Sequence, residues 1–438
     1  MTDRTDVFIT GLGMLTPVGI GREPFWQAVL NGQSGIRPID QRTDGHAILD
    51  ESTSLPGISV GGLVQGFDAK QYVRPRKALK VMCREIQMVY ASTQLAIDDA
   101  DLTSRLPAVV EQDGETVFRP SQVGTVYGSE VFYGPPSEVR DALEECIDES
   151  GVIDTNRFGS AAMKHIMPLW MLKYLPNMPA CHVGISVNAH GPNNSLVLGE
   201  VSGPAALAES INCLHRGHAS LMLTGAVGTR VNTTRLYHRA DYPVAELSDP
   251  LEHSSKPHDR ASSGVVNGEA AIAMTLQTRK DISNPKLALA KVMACTSRFH
   301  ADPQQAIGLS IRGAFETAGI SPDEVGCVVS AATGDRESDT WEGEALLSVF
   351  NTVPPVVTPN ALMGLCGSAS GSIMIAVAVE IIDRQVIPPA GHPGMQMADS
   401  AVPLSLSAGT LESPYVLATS FTRQGVAVAT IVGPTFAL

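Results

Sequence analysis

Residues 191–205 read GPNNSLVLGEVSGPA, a stretch that joins a short apolar run to the small residues opening a helix predicted over Pro204–Leu214. One member of this stretch, Glu200, is a carboxylate in surroundings of low polarity. Burying a charge is costly unless the charge is paired or hydrogen-bonded. Glu200 is therefore predicted to be a specifically stabilised or functional residue at a strand-to-helix turn.

Strand-like and helix-like segments alternate along the chain, which predicts an α/β protein with largely parallel sheets covered by helices. Clear apolar strands are predicted over Gln122–Gly128, Leu221–Ala226 and Val325–Ser330. Further predicted elements are a short strand over Val7–Ile9 that ends in a glycine- and proline-rich loop, and helices over Ala78–Ala100 and Pro136–Glu149.

Two glycine-led buried helices indicate an internal duplication. They are predicted over Pro204–Leu214 and Gly371–Ile382, and a polar, loop-rich segment over 237–268 separates the regions that contain them. A chain of 438 residues exceeds what one hydrophobic core usually supports. We therefore predict two halves, residues 1–262 and residues 263–438.

Composition restricts the classes of function. The formal net charge is −14, whereas a nucleic-acid binder concentrates Lys and Arg. The seven cysteines contain no CxxC pair, which is typical of a reducing compartment and predicts no metal site. With no long apolar run for a membrane span, the sequence predicts a soluble cytoplasmic protein that uses no cofactor.

Several motifs, in order along the chain, resemble the β-ketoacyl-[acyl carrier protein] synthase family of condensing enzymes. The resemblance implies the thiolase fold, a five-layered αβαβα double domain that dimerises, with a catalytic cysteine at the N-terminus of the central helix of the first half. The resembling segments are VFITGLGMLTPVG, FWQAVLNGQSGIRPI, LPNMPACHVGI, HGPNNS, NCLHRGHASLMLTGAV and KPHDRASSGVVNGEAA.

The chain departs from this family at its catalytic positions. Aligning GPNNS with the family motif puts Glu200 where the cysteine would stand, at a helix N-terminus that favours a thiolate or an oxyanion. AATGD stands for the family's HGTGT and puts Ala331 in place of one histidine. NALMGLCGSASG puts Asn360 for the family lysine and Leu365 for the second histidine. Because neither alanine nor leucine donates a hydrogen bond to a developing oxyanion, ordinary Claisen condensation is not expected.

The family's FGFGG loop, which gates the acyl pocket, is replaced here by SFTRQG, which begins at Ser420. Phe421 and Arg423 are therefore predicted to line the pocket, and Arg423 is predicted to neutralise Glu200. Cys366, beside Leu365, is interpreted as a small buried thiol rather than a displaced nucleophile. Glu200 itself has two interpretations: a structural group held by the helix dipole, or a general base.

Three functions remain open on the resemblance. In the first, the chain is a chain-length-factor-like subunit that pairs with an active ketosynthase in type II polyketide, aryl-polyene or fatty acid synthesis and acts with an acyl carrier protein. In the second, it resembles the ketosynthases that decarboxylate malonyl-carrier protein, although those enzymes keep both histidines. In the third, Glu200 serves an acyl-thioester hydrolase or acyltransferase. A heterodimer and a homodimer both remain open.

Overall fold

A computed structural model of the chain describes residues 6–39, 59–107, 118–237, 241–396 and 402–435. The strands are β1 (Val7–Thr16), β2 (Gly19–Ile20), β3 (Ile36–Pro38), β4 (Val60–Gly62), β5 (Val123–Gly128), β6 (Asn193–Leu196), β7 (Leu221–Thr229), β8 (Glu269–Thr278), β9 (Ala290–Phe299), β10 (Val325–Val329), β11 (Val356–Val357), β12 (Val386–Ile387), β13 (Gly409–Thr410), β14 (Tyr415–Phe421) and β15 (Val426–Gly433). The helices are α1 (Arg22–Leu30), α2 (Arg84–Asp99), α3 (Arg140–Glu144), α4 (Phe158–His165), α5 (Met178–Ser186), α6 (Ser202–His215), α7 (Thr233–Tyr237), α8 (Pro303–Ala318), α9 (Arg336–Val349), α10 (Asn360–Met363) and α11 (Ser370–Arg384).

The strand pairing repeats itself in the two halves. In the first half the order is β6-β5-β7-β8-β1, with β5 parallel to both β6 and β7, while β8 runs antiparallel to β7 and β1. In the second half the order β11-β10-β14-β15-β9 has the same pattern of parallel and antiparallel pairs. A short antiparallel pairing of β1 with β9 joins the two sets into one sheet. This repetition is what the two glycine-led helices predicted.

The buried helices α6 and α11 lie between the two sets of strands, and helices also cover the outer faces. Helix α6 packs on β5 and β7, and α11 packs on β14 and β10, while α2 and α8 pack on β1 and β9. Glycine brings the two central helices together: a Cβ on Gly203 would collide with the Ser372 hydroxyl, and one on Gly371 would lie 2.5 Å from Pro204 Cδ. The αβαβα layering expected from the sequence is therefore present.

Three predictions from the sequence are wrong in their bounds. Strand β1 continues through the segment predicted as a loop, because Gly11 and Gly13 let the backbone of α2 approach the strand closely. The helix predicted over Pro136–Glu149 is reduced to a short 3₁₀ turn and the five residues of α3. Helix α2 begins only at Arg84, after a 3₁₀ segment over Arg76–Val81.

Strand pairing connects a segment beyond the predicted boundary at residue 262 to the first half. Strand β8, over Glu269–Thr278, pairs along its length with β7 and β1 of the first half. The second half therefore begins between β8 and β9 in terms of strand pairing. Among the residues that the structure describes, none of the helices combines the length and apolar character that a bilayer crossing requires.

Candidate functional site

A tight turn over Gly199–Val201 places Glu200 at the beginning of α6. Gly199 has φ +64°, a left-handed conformation that favours glycine. The Leu198 N–H donates to Ser202 Oγ at 2.9 Å, and the Ser202 hydroxyl donates back to the Gly199 carbonyl at 2.7 Å. These bonds fix the backbone of Glu200 at the edge where the parallel strands β5, β6 and β7 end.

Arg230 is the cation that faces Glu200. It follows β7, its side chain is 2% exposed, and its Nη1 lies 3.9 Å from Glu200 Oε1, while the Glu200 side chain is 14% exposed. Arg230 also donates from Nη2 to Asp241 at 2.7 Å and from Nε to Asn267 Oδ1 at 3.2 Å. Burial raises the pKa of Glu200 above its ordinary value, and the charge of Arg230 opposes this shift only in part.

The predicted ion pair between Arg423 and Glu200 does not form. Arg423 instead bonds to Asp335 and Glu337 at the N-terminus of α9. The Tyr242 ring explains the separation, since it contacts both guanidiniums, with 5.4 Å from its centroid to Arg230 and 5.5 Å to Arg423. Each arginine therefore neutralises carboxylates in its own half of the molecule.

Glu130, which was not predicted from the sequence, lies in the same cluster as Glu200 and Arg230. It follows β5, and its Oε1 accepts the Thr229 N–H at 2.6 Å while its Oε2 accepts the Ser368 N–H at 3.4 Å. Burial raises the pKa of Glu130 to about 7. The sequence signal that could have identified Glu130 was its position after a predicted strand, at the edge of the sheet where β7 also ends.

In the second half, Ala331 and Asn360 are joined by hydrogen bonds. The Ala331 N–H donates to Glu342 Oε1 and to Thr419 Oγ1, each at 3.1 Å. The buried Asn360 side chain donates from Nδ2 to the carbonyls of Ala331 at 3.3 Å and Ala332 at 2.9 Å. Neither residue carries a group that titrates near neutral pH, so both act here through backbone and amide contacts.

Leu365 and Cys366 lie directly before α11 and are buried. Leu365 belongs to an apolar cluster with Val265 and Tyr242, and the Tyr242 ring of this cluster lies against Arg230. The Cys366 thiol is directed at the Gly364 carbonyl, at 3.5 Å, and burial raises its pKa well above the ordinary value. Such a thiol is mostly protonated near neutral pH and is a poor nucleophile.

Phe421 ends β14 and is 4% exposed, where it belongs to the apolar cluster of the second half. The two halves meet around the turn that precedes α11. A Cβ on Gly367 would lie 2.5 Å from Glu130 Oε2 and 3.5 Å from Arg230 Cγ. Glu200, Glu130, Arg230 and the residues before α11 therefore form one site.

A second buried polar cluster lies behind Ala331, and the parts of His258 and Glu342 in it were not predicted from the sequence. His258 Nε2 is 3.0 Å from Ser330 Oγ and 3.3 Å from Glu342 Oε2, and the backbone N–H of His258 donates to Asp339 Oδ2 at 2.8 Å. Burial disfavours the imidazolium, but the bond with Glu342 and the charge of Asp339 outweigh it and raise the pKa of His258. Burial also raises the pKa of Asp339 to about 6.

Known proteins of similar sequence are named as 3-oxoacyl-[acyl-carrier-protein] synthases and polyketide ketoacyl synthases. The chain is 24% identical over 405 residues to the 3-oxoacyl-[acyl-carrier-protein] synthase 2 of Synechocystis sp., with 88% of each chain covered. It is 26% identical over 400 residues to the tetracenomycin polyketide synthase ketoacyl synthase beta subunit of Streptomyces glaucescens, covering 89% of this chain and 88% of the relative.

Solved structures share the fold. The ishigamide ketosynthase/chain length factor matches with a TM-score of 0.78 and 19% identity, covering 98% of this chain and 99% of the other. A type II polyketide synthase acyl-carrier protein in complex with its ketosynthase, AntDE:AntF, matches with a TM-score of 0.75 and 17% identity, covering 99% of this chain and all of the other.

Family models match most of the chain, in the same order as the two halves. Residues 4–281 match the beta-ketoacyl synthase N-terminal domain, and residues 290–393 match the C-terminal domain. The first match ends just after β8, in agreement with the strand pairing. The chain therefore belongs to the β-ketoacyl synthase family.

Proposed function

We propose that the chain is a non-condensing, chain-length-factor-like subunit that pairs with a cysteine-bearing ketosynthase and acts on acyl groups held by a carrier protein. The observation that carries this proposal is the identity of three residues. The three positions at which the resemblance predicts a nucleophilic cysteine and two oxyanion-binding histidines hold Glu200, Ala331 and Leu365. Removing one oxyanion donor costs about 2.7–4 kcal/mol of transition-state stabilisation, so these replacements together should prevent condensation.

Two of the compared proteins support pairing with a second subunit. The Streptomyces glaucescens relative is named a beta subunit of a polyketide synthase, and the ishigamide structure is named a ketosynthase/chain length factor. Both cover nearly the whole of this chain. A subunit that only has to pair with a catalytic partner needs the family fold but not the family's catalytic groups.

A basic surface supports contact with an acidic carrier protein. No Asp or Glu interrupts residues 69–84, although the whole chain has a net charge of −14. Complementary charge mainly steers encounter and fixes orientation. The cations of this surface are exposed and form no salt bridge with any residue that the structure describes: Lys70, Arg74, Arg76, Lys77 and Lys80.

The deciding experiment is co-expression with a cysteine-bearing ketosynthase encoded in the same gene cluster. We expect the two chains to co-elute in equal amounts, with malonate-dependent chain extension by the complex and none by this chain alone. The ketosynthase with its cysteine replaced by alanine is the control, because that complex should assemble and yet extend nothing. A stable homodimer that never co-elutes with the ketosynthase contradicts the proposal.

A further inference from the structure

Two hydrogen-bond donors have no acceptor among the residues that the structure describes: Arg230 Nη1, which faces Glu200, and Nδ2 of Asn267, the residue that accepts from Arg230 Nε. Arg230 Nη1 has only the 3.9 Å approach to Glu200, which is beyond hydrogen-bond distance. Asn267 Nδ2 has no partner, although Asn267 is 2% exposed and its Oδ1 accepts from Arg230. A buried donor that makes no hydrogen bond costs about 1–3 kcal/mol of free energy. A ligand atom that accepts from such a donor would remove this cost.

We propose that Glu200, Arg230 and Asn267 form a hydrolytic site for acyl thioesters. Glu200 is the general base that activates water, and Arg230 Nη1 and Asn267 Nδ2 bind the thioester carbonyl oxygen. This activity goes beyond the proposed subunit role and does not depend on a partner chain. It would remove acyl groups from their thiol carriers.

The chemistry balances without a cofactor. The Glu200 carboxylate accepts a proton from water as the water oxygen bonds to the carbonyl carbon. The carbonyl oxygen becomes an oxyanion, which faces the guanidinium of Arg230 and the amide N–H of Asn267. The oxyanion then collapses, the carbon–sulfur bond breaks, and the proton held by Glu200 passes to the leaving thiolate. The products are a carboxylic acid and a free thiol.

The surroundings of Glu200 suit a base that works near neutral pH. The catalytic efficiency of a general base is greatest when its pKa lies near the working pH. Burial raises the pKa of Glu200 towards that range, Arg230 and Arg235 oppose the rise, and Asp241 adds to it. The remaining exposure of the Glu200 side chain, 14%, leaves it open to water.

The mouth of the site indicates an apolar acyl group. Val197 and Leu198, which precede the turn, are 45% and 46% exposed. Beside the turn, Thr422 Cγ2 would lie 3.5 Å from a Cβ on Gly199. An acyl chain entering beside Glu200 would therefore cover apolar surface. The shared substrate chemistry is an acyl thioester, which coenzyme A and a carrier protein both supply.

The test uses the purified full chain without any ketosynthase, with hexanoyl-coenzyme A and hexanoyl-carrier protein as separate substrates and thiol release as the readout. We expect turnover above the no-protein background on at least one substrate. Glu200→Gln should lower kcat by at least about 100-fold, as for loss of a general base. Glu209→Gln, a carboxylate further along the same helix α6, is the matched control and should keep wild-type kcat.

A second variant tests the donors. Asn267→Asp keeps the oxygen that accepts from Arg230 and removes the Nδ2 donor, so kcat should fall by about 10²–10³. The wild-type kcat should also decline as the pH falls through the raised pKa of Glu200, with the residual rate of Glu200→Gln flat over that range. No hydrolysis by the wild-type chain, or an unchanged kcat in a folded Glu200→Gln variant, overturns the proposal while leaving the subunit role to the co-elution experiment.

Discussion

The turn before α6 and the turn before α11 share one backbone design but carry different side chains. Leu198–Ser202 matches Cys366–Ser370: Leu198 and Cys366 have φ, ψ of −132°, 26° and −100°, 29°. A left-handed glycine follows each of them, with φ +64° in the first turn and +56° in the second. In both turns the first N–H donates to the hydroxyl of the serine that opens the helix, at 2.9 and 3.0 Å.

The difference between the turns lies in the third residue of each. Glu200 is partly open to water and faces Arg230, whereas its counterpart Ser368 is fully buried and donates to the Ser129 carbonyl at 2.8 Å. The repeated backbone therefore supplies two helix N-termini, and their surroundings decide that only the first is accessible for chemistry. Substitutions at matched positions in the two turns test this interpretation.

The largest effect is expected from Gly367→Ala in the turn before α11, called the sealed turn because its third residue, Ser368, is fully buried. The left-handed backbone and a Cβ placed 2.5 Å from Glu130 Oε2 should together cost about 3 kcal/mol of unfolding free energy. Guanidinium denaturation of the purified variant measures the loss. A loss below about 1 kcal/mol would mean that this turn is not held rigidly against Glu130.

The access of solvent to the turn before α6, called the open turn, is tested by Glu200→Cys, which places a thiol at its third residue. We expect iodoacetamide to alkylate the new thiol at least about tenfold faster than Cys366, because the helix N-terminus and Arg230 favour the thiolate and solvent reaches it. Peptide mass spectrometry resolves the two sites. Comparable labelling rates would show that the first turn is as closed as the second. Condensation should not be gained, since Ala331 and Leu365 supply no side-chain donor.

The sequence was sufficient for the fold because its signals are local and repeated. The apolar strands, the two glycine-led helices and the family motifs all depend on short segments. The site was harder to predict. Glu200 was found because a charge interrupts an apolar segment, whereas Arg230 and Glu130 each stand just after a strand, where a charged residue is common and draws no attention. Arg423 was assigned to Glu200 because nothing in the sequence placed Tyr242 against both arginines.

A smaller loss is expected from Gly199→Ala, the counterpart of Gly367→Ala. The positive φ is equally unfavourable for alanine, at about 1–2 kcal/mol. However, the new Cβ would meet only Thr422 Cγ2, at an ordinary contact distance of 3.5 Å. Under the same denaturation conditions the unfolding free energy should therefore fall by less than for Gly367→Ala. Equal losses in the two variants would remove the distinction between an open and a sealed turn.

The smallest effect is the pH dependence that the second half contributes through His258, which bonds to Glu342 and faces Asp339. Because the folded protein raises the pKa of His258, its contribution to stability is complete below the ordinary value of about 6.5 and is lost as the pH rises through the folded pKa. Asp339 titrates at about 6 with the same sign, and Glu130 at about 7, so His258→Gln is needed to isolate the histidine. Unfolding free energies measured between about pH 6.5 and pH 9 should decline more for the wild type than for His258→Gln. Parallel pH profiles would mean that the imidazole is not held as a cation behind Ala331. The second half would then lack a stabilising protonated histidine, as does the site of the first half among the contacts described.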